Sequence, residues 1–184
     1  MKKILSFFFL FSLSLWASGK KNVSHETAYL AGGCFWGMEE LIRKLPGVLS
    51  TEVGYSGGNP NAKTYELVKT GTTNHAETVK IIFDPKKITY SSLLEFFFRI
   101  HDPTTLNQQG NDKGTQYRSV IYYVNPEQEK VARLTKEKID FSGKWKKPIV
   151  TEITKFSIFN PAEDYHQDYL VKNPGGYTCH WVRD

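Results

Sequence analysis

The chain has 184 residues and a formal charge of +5, with 40% hydrophobic, 23% charged and 14% aromatic residues. That length carries one domain with a hydrophobic core of its own, and the proportions are those of an ordinary soluble globular chain. The mild positive charge, with no long block of lysine and arginine, gives no basis for nucleic-acid binding.

Residues 1–19 read as a signal peptide. Lys2 and Lys3 form a charged start, residues 4–16 are apolar and broken only by serines, and Ala17-Ser18-Gly19 supplies small residues for cleavage. Thirteen apolar residues are too few to cross a bilayer comfortably as a helix; an uncleaved anchor is the alternative. No cysteine lies near the cleavage point, so a lipid-modified N-terminus is not expected. Losing Lys2 and Lys3 lowers the formal charge from +5 to +3. The expectation is an exported protein, periplasmic or extracytoplasmic, with residues 20–184 as one domain. It would be monomeric and without stable membrane association once the leader is cleaved.

Residues 28–31 predict a short strand ending at Gly32-Gly33. Cys34 then opens a helical pattern, with Phe35, Met38, Leu41, Ile42 and Leu45 on one face, stopped by Pro46-Gly47. Residues 48–55 alternate as a strand, 56–61 form a Gly/Asn/Pro loop, and 63–69 a short helix. A strand over 77–83 precedes a helix over 90–101 with Ser91 or Ser92 near its start. Residues 102–114 read as a long polar loop and 117–124 as a strand rich in Val, Ile and Tyr. A charged helix over 126–140 has Pro126 in its first turn. A strand over 149–156, a final helix over 162–171 and a Gly-rich tail complete the chain. The order predicts an α+β single domain, a mixed or antiparallel sheet covered by helices; the fold expected is a ferredoxin-like plait core with a long irregular C-terminal tail.

Two cysteines are present, Cys34 and Cys179. In an exported chain an even count suggests a structural disulfide, but this chain is long enough not to need one. Cys34 sits where a glycine pair turns a strand into a helix. Free N–H groups and the helix dipole there favour thiolate, so its pKa is expected to be lowered. A buried inert cysteine fits the local pattern equally well.

The neighbouring residues extend the comparison. Gly33-Cys34-Phe35-Trp36-Gly37 is a GCFWG signature, and His75-Ala76-Glu77 an HAE segment. Residues 110–119 read GNDKGTQYRS, residues 162–170 read AEDYHQDYL, and Asn173-Pro174-Gly175-Gly176-Tyr177 closes the set. In these motifs and their order the chain resembles the A-type peptide methionine sulfoxide reductases, from about Thr27 to the C-terminus.

The resemblance implies an enzyme that reduces methionine-S-sulfoxide, free or in proteins, with no cofactor. Cys34 would attack the sulfoxide sulfur and become a sulfenic acid. Glu77 would be the acid, provided burial keeps it protonated. Tyr65 and Tyr117 would hold the oxygen. Asp112 would hydrogen-bond substrate, water or a neighbouring side chain, and Phe35 and Trp36 would cage the S-methyl group. Cys179 would then form a disulfide with Cys34. Its place after Tyr-Thr is offset by one residue from the family's pattern. A thioredoxin-like dithiol would recycle the enzyme.

Three alternatives remain beside this reading: a hydroperoxide-reducing enzyme using Cys34, a binding domain stapled by a permanent Cys34–Cys179 bridge, and a metal site. His75-Ala76-Glu77, His101-Asp102 and Cys179-His180 do not reproduce common zinc spacings, so no metal is expected. His166 would orient a loop or lie at the surface.

Overall fold

Strand β1 (Glu26–Gly32) runs through the middle of the sheet. The computed structural model describes residues 25–184, so the leader read over residues 1–19 lies outside the described residues. After β1 come α1 (Phe35–Ile42), β2 (Val48–Ser56), α2 (Tyr65–Val68), β3 (Ala76–Phe83) and α3 (Tyr90–Ile100). The short strands β4 (Gln108–Gln109) and β5 (Asp112–Lys113) precede a 3-10 turn, Thr115–Tyr117. Then follow β6 (Ser119–Tyr123), α4 (Pro126–Phe141), β7 (Glu152–Lys155), β8 (Phe159–Pro161) and α5 (Tyr169–Lys172).

The main sheet has the order β7-β6-β1-β3-β2-β8. All its pairs are antiparallel except β6 with β7. The chain order β1-α1-β2-β3-α3-β6, laid out as β6-β1-β3-β2, is the ferredoxin-like plait. Apolar residues of α1 (Phe35, Met38, Ile42) and α3 (Leu93, Leu94, Phe97) share one core with Leu30, Val79 and Ile81 of the sheet. Each such burial is worth roughly 1.5–3 kcal/mol of transfer free energy. The core therefore fixes the roll of α1, and with it the position of its N-terminus. The start of α3 is capped by Thr89, whose hydroxyl accepts the Ser92 N–H at 3.1 Å, rather than by Ser91 or Ser92.

The sheet is curled. Four peptide steps join the end of β7 to the start of β8, a reach of roughly 14 Å. Five strand spacings would set the edges of a flat sheet roughly 24 Å apart. Across the hollow the Tyr122 hydroxyl donates to the Ser56 carbonyl at 3.1 Å. Tyr29 stacks on Phe156 with ring centroids 4.0 Å apart, filling the inner side.

Several expectations are corrected. The polar stretch over 102–114 carries the β4–β5 ladder. Tyr117 lies in the 3-10 turn, and the strand begins at Ser119. The strand expected over 149–156 is confined to Glu152–Lys155, and β8 was not anticipated. The helix expected over 162–171 is a chain of turns followed by α5 alone. Its backbone is diverted by side chains: Gln167 accepts the Val53 N–H and donates to the Val53 and Ala162 carbonyls, each at 2.9 Å. Asp168 takes φ 52°, and its N–H donates to buried Glu39 at 3.0 Å. Among the described residues no helix is long and apolar enough to cross a membrane.

Candidate active site

The site is built where β1 meets α1. Gly33 takes φ +107°, open to glycine, and a Cβ there would lie 2.5 Å from the Gln109 side chain. That turn makes Cys34 the N-cap residue of α1. Cys34 is 7% exposed. Burial pushes its thiol well up, the Glu77 carboxylate adds to this, and the Trp36 N–H pulls the other way. The lowered pKa expected from the helix terminus is therefore not met, because desolvation outweighs the few N–H groups.

Glu77 faces inward from β3, opposite Tyr55 in register, and is 3% exposed. Its Oε2 accepts the Phe35 N–H at 3.0 Å. Burial raises its carboxyl to about 8, Asp112 adds to this, and the Phe35 N–H opposes it. Glu77 thus keeps its proton at neutral pH, and its own charge presses on Cys34 only in alkali.

The remaining residues close a cavity of about 190 Å³ lined by Cys34, Phe35, Trp36, Tyr65, Glu77, Asp112, Tyr117 and Tyr177. Tyr65 opens α2, where its N–H donates to Glu163 at 2.9 Å. Tyr117 is held by the loop beneath it: Arg118 donates to the Thr115 and Asn74 carbonyls, and Thr115 donates to Gly71. Burial raises the ionisation of both phenols, Glu77 next in each case, so both stay protonated donors. Asp112, on β5, accepts the Tyr177 hydroxyl at 3.0 Å and the Cys179 thiol at 3.3 Å.

Seven of the eight residues named from the sequence therefore line one cavity. The eighth, Cys179, lies beside it against Asp112, and the Cys34 N–H acts on its sulfur. Burial first, then Asp112, pushes its thiol up to about 12. Both thiols are free. Among the described residues no three His, Cys, Asp or Glu side chains gather as a metal site.

Sequence reasoning missed the support around the cage. His166 is buried, not at the surface, and its Nδ1 accepts the Trp36 indole N–H at 3.0 Å. Tyr169 stacks on the same Trp36 indole, with centroids 3.7 Å apart. Glu163 accepts both the Tyr65 N–H and the Tyr55 hydroxyl. Burial raises its carboxyl, but the Tyr65 N–H and the other donors outweigh it, so its pKa is lowered. Tyr177 completes the cavity. All four stand in the AEDYHQDYL and NPGGY segments, so the motifs marked them without giving them roles.

Fold and site define a cysteine-centred oxidoreductase on a curled α+β plait. The family described as peptide methionine sulfoxide reductase matches residues 26–184. Peptide methionine sulfoxide reductase MsrA 2 of Rhodopirellula baltica is 58% identical over 159 residues, covering 86% of this chain and 92% of that protein. The reduced form of Mxr1 from Saccharomyces cerevisiae matches with a TM-score of 0.83 at 41% identity, covering 87% of this chain and 93% of that one. Mxr1 in complex with Trx2 matches with a TM-score of 0.60 at 27% identity, covering 89% and 93%. The chain belongs to the peptide methionine sulfoxide reductase family, oxidoreductases that return methionine sulfoxide to methionine.

Proposed function

We propose that this reduction runs through Cys34 as nucleophile and Glu77 as acid on the S epimer of methionine sulfoxide, free or in proteins. The observation that carries the reading is the one cavity that joins a thiol, a neutral carboxyl, three phenols and an aromatic pair. Cys34 Sγ attacks the sulfoxide sulfur as Glu77 passes its proton to the oxygen. Methionine leaves having gained two electrons, the oxygen stays on Cys34 as a sulfenic acid, and the thiol proton replaces the one lost from Glu77.

Tyr65 and Tyr117 donate to the oxygen as it becomes hydroxyl-like. Preorganised donors of this kind are each worth ~3 kcal/mol in a transition state. Phe35 and Trp36 hold the S-methyl group. One buried methyl is worth ~0.8 kcal/mol, so the cage mainly orients the sulfur and selects the epimer. Asp112 ties the C-terminal segment to the cavity.

Cys179 then displaces the sulfenic oxygen as water and forms a disulfide with Cys34, which a thioredoxin-like dithiol reduces. The place of Cys179 beside Cys34 supports the first step, and the complex of Mxr1 with Trx2 supports the second. The leader pattern supports export to a periplasmic or other extracytoplasmic space.

The test is stoichiometric. Reduced protein freed of reductant is mixed separately with each epimer of N-acetyl-methionine sulfoxide. One methionine per chain from the S epimer alone, with both thiols consumed, is expected. No methionine from folded, reduced protein would overturn the reading, and hydroperoxide would then be tried as oxidant.

A further inference from the structure

We propose that His180 is the proton acceptor that makes a nucleophile of Cys179 in the disulfide-forming step. This rests on the reading of Cys179 as the resolving thiol. The Cys179 Sγ lies 3.5 Å from His180 Nδ1, and His180 Nε2 lies 2.8 Å from the Gly32 carbonyl oxygen. A carbonyl only accepts, so Nε2 carries the proton and Nδ1 presents its lone pair to the thiol. The tautomer needed for a base is thus fixed by the last residue of β1, two positions before the nucleophile.

The ring occupies a built seat. His180 is 6% exposed. A Cβ on Gly33 would stand 3.1 Å from its Cε1, and one on Gly37 would stand 2.7 Å from its Nδ1 and still closer to Thr178 Oγ1. The outer glycines of the GCFWG signature therefore make room for the 178–180 segment. Thr178 Oγ1 accepts the His180 N–H at 3.1 Å.

The charged and titratable groups facing the ring are Cys179, Asp112 from β5, His101 at the end of α3 and Arg183 further along the chain. Asp112 is the competing acceptor of the Cys179 proton. Burial lowers the His180 pKa to about 4 and Arg183 adds to this, while the Gly32 carbonyl and Asp112 oppose it, so the ring rests neutral with Nδ1 free to accept and holds the proton only while the new thiolate beside it offsets the cost. The balance is complete: the Cys179 proton goes to Nδ1, its sulfur bonds to Cys34 Sγ, the S–O bond breaks, and the hydroxyl takes a proton from Glu77 to leave as water. His180 and Glu77 then exchange protons with solvent. The Cys34 sulfur is reduced by one electron and the Cys179 sulfur oxidised by one.

The experiment is a single turnover of reduced protein with N-acetyl-methionine-S-sulfoxide, following methionine, dimedone-trapped sulfenic acid and disulfide. His180→Gln keeps an N–H donor for Gly32 and removes the base. It is expected to release methionine at the wild-type rate, accumulate sulfenic acid, and form the disulfide about 100-fold more slowly near neutral pH. Between about pH 6 and 7, where Glu77 keeps its proton, that rate should rise about tenfold per pH unit as hydroxide takes over, whereas the wild-type rate stays flat. Wild-type disulfide formation in His180→Gln overturns the proposal, as does its loss in Asp112→Asn alone. If His180→Gln also loses the methionine burst, the wild type decides: a tenfold rise per pH unit there means no acceptor is built in. Cys179→Ser, run alongside, separates the underlying reading: wild-type recycling by thioredoxin in that variant would show that Cys179 does not resolve at all.

Discussion

Glu77 Oε2 accepts the backbone N–H of Phe35 at 3.0 Å, so the acid on β3 is tied to the residue that follows the nucleophile. This bond fixes the carboxyl relative to Cys34 without any charge between them at neutral pH. The first prediction follows from it. Glu77→Gln keeps an acceptor for the Phe35 amide and loses the proton, so sulfenic acid formation should slow about 100-fold or more in an intact fold. The wild-type rate should fall as pH rises through about 8, where Glu77 ionises. An unchanged single-turnover rate for Glu77→Gln excludes it as the acid.

The same group makes a stability prediction. Its folded pKa of about 8 lies above the unfolded value, roughly 4.3. The folded state therefore holds a proton that the unfolded state has released, and stability falls as pH rises through that window. This contribution is fully present below the unfolded pKa and is lost by the time pH passes the folded one. Melting temperatures should show wild type losing ground to Glu77→Gln from about pH 4 to pH 8. A constant gap would mean the carboxyl is not held neutral.

The sequence made some of this visible and hid the rest for physical reasons. The helix opening at Cys34 and the strand that carries Glu77 were readable because the one depends on a glycine turn and the other on local periodicity. The mixed sheet covered by helices followed from the order of elements. The stretch from Ala162 to Asp168 has a helical sequence pattern yet forms turns, because its conformation is set by Gln167 bonding to Val53 and by Glu39 taking the Asp168 N–H. Those partners lie over a hundred residues away in sequence, and no local pattern announces them. The direction of the Cys34 shift is likewise hidden from the sequence: the helix terminus is local, but the burial that outweighs it is assembled from distant segments.

Cys179→Ser should yield one methionine per chain and then stall with thioredoxin as donor. A small dithiol such as dithiothreitol, able to enter the cavity, should still regenerate Cys34. Steady-state assays with each donor give the comparison, and equal loss with both would mean the substitution damaged the first step.

His166→Ala should leave the Trp36 indole N–H without its acceptor and loosen one wall of the cage. The loss of one such bond is worth about 1 kcal/mol, so KM for the sulfoxide should rise about fivefold with a smaller change in kcat. The measurement is the KM–kcat split together with Trp36 fluorescence. A fall in kcat alone, at unchanged KM, would place His166 in the chemistry instead.

Gly37→Ala puts two effects in opposition within α1. Alanine favours the helix by about 1 kcal/mol over glycine, but its Cβ would collide with Thr178 and His180. Neither of those residues lines the cavity, so the first step has no reason to change. The expected outcome is a folded protein of similar or higher melting temperature that releases methionine normally and forms the Cys34–Cys179 disulfide slowly. Thiol counts against time, set beside the methionine burst, measure this directly. Disulfide formation at the wild-type rate would mean that the segment carrying Cys179 does not need its seat on α1 to reach the sulfenic acid.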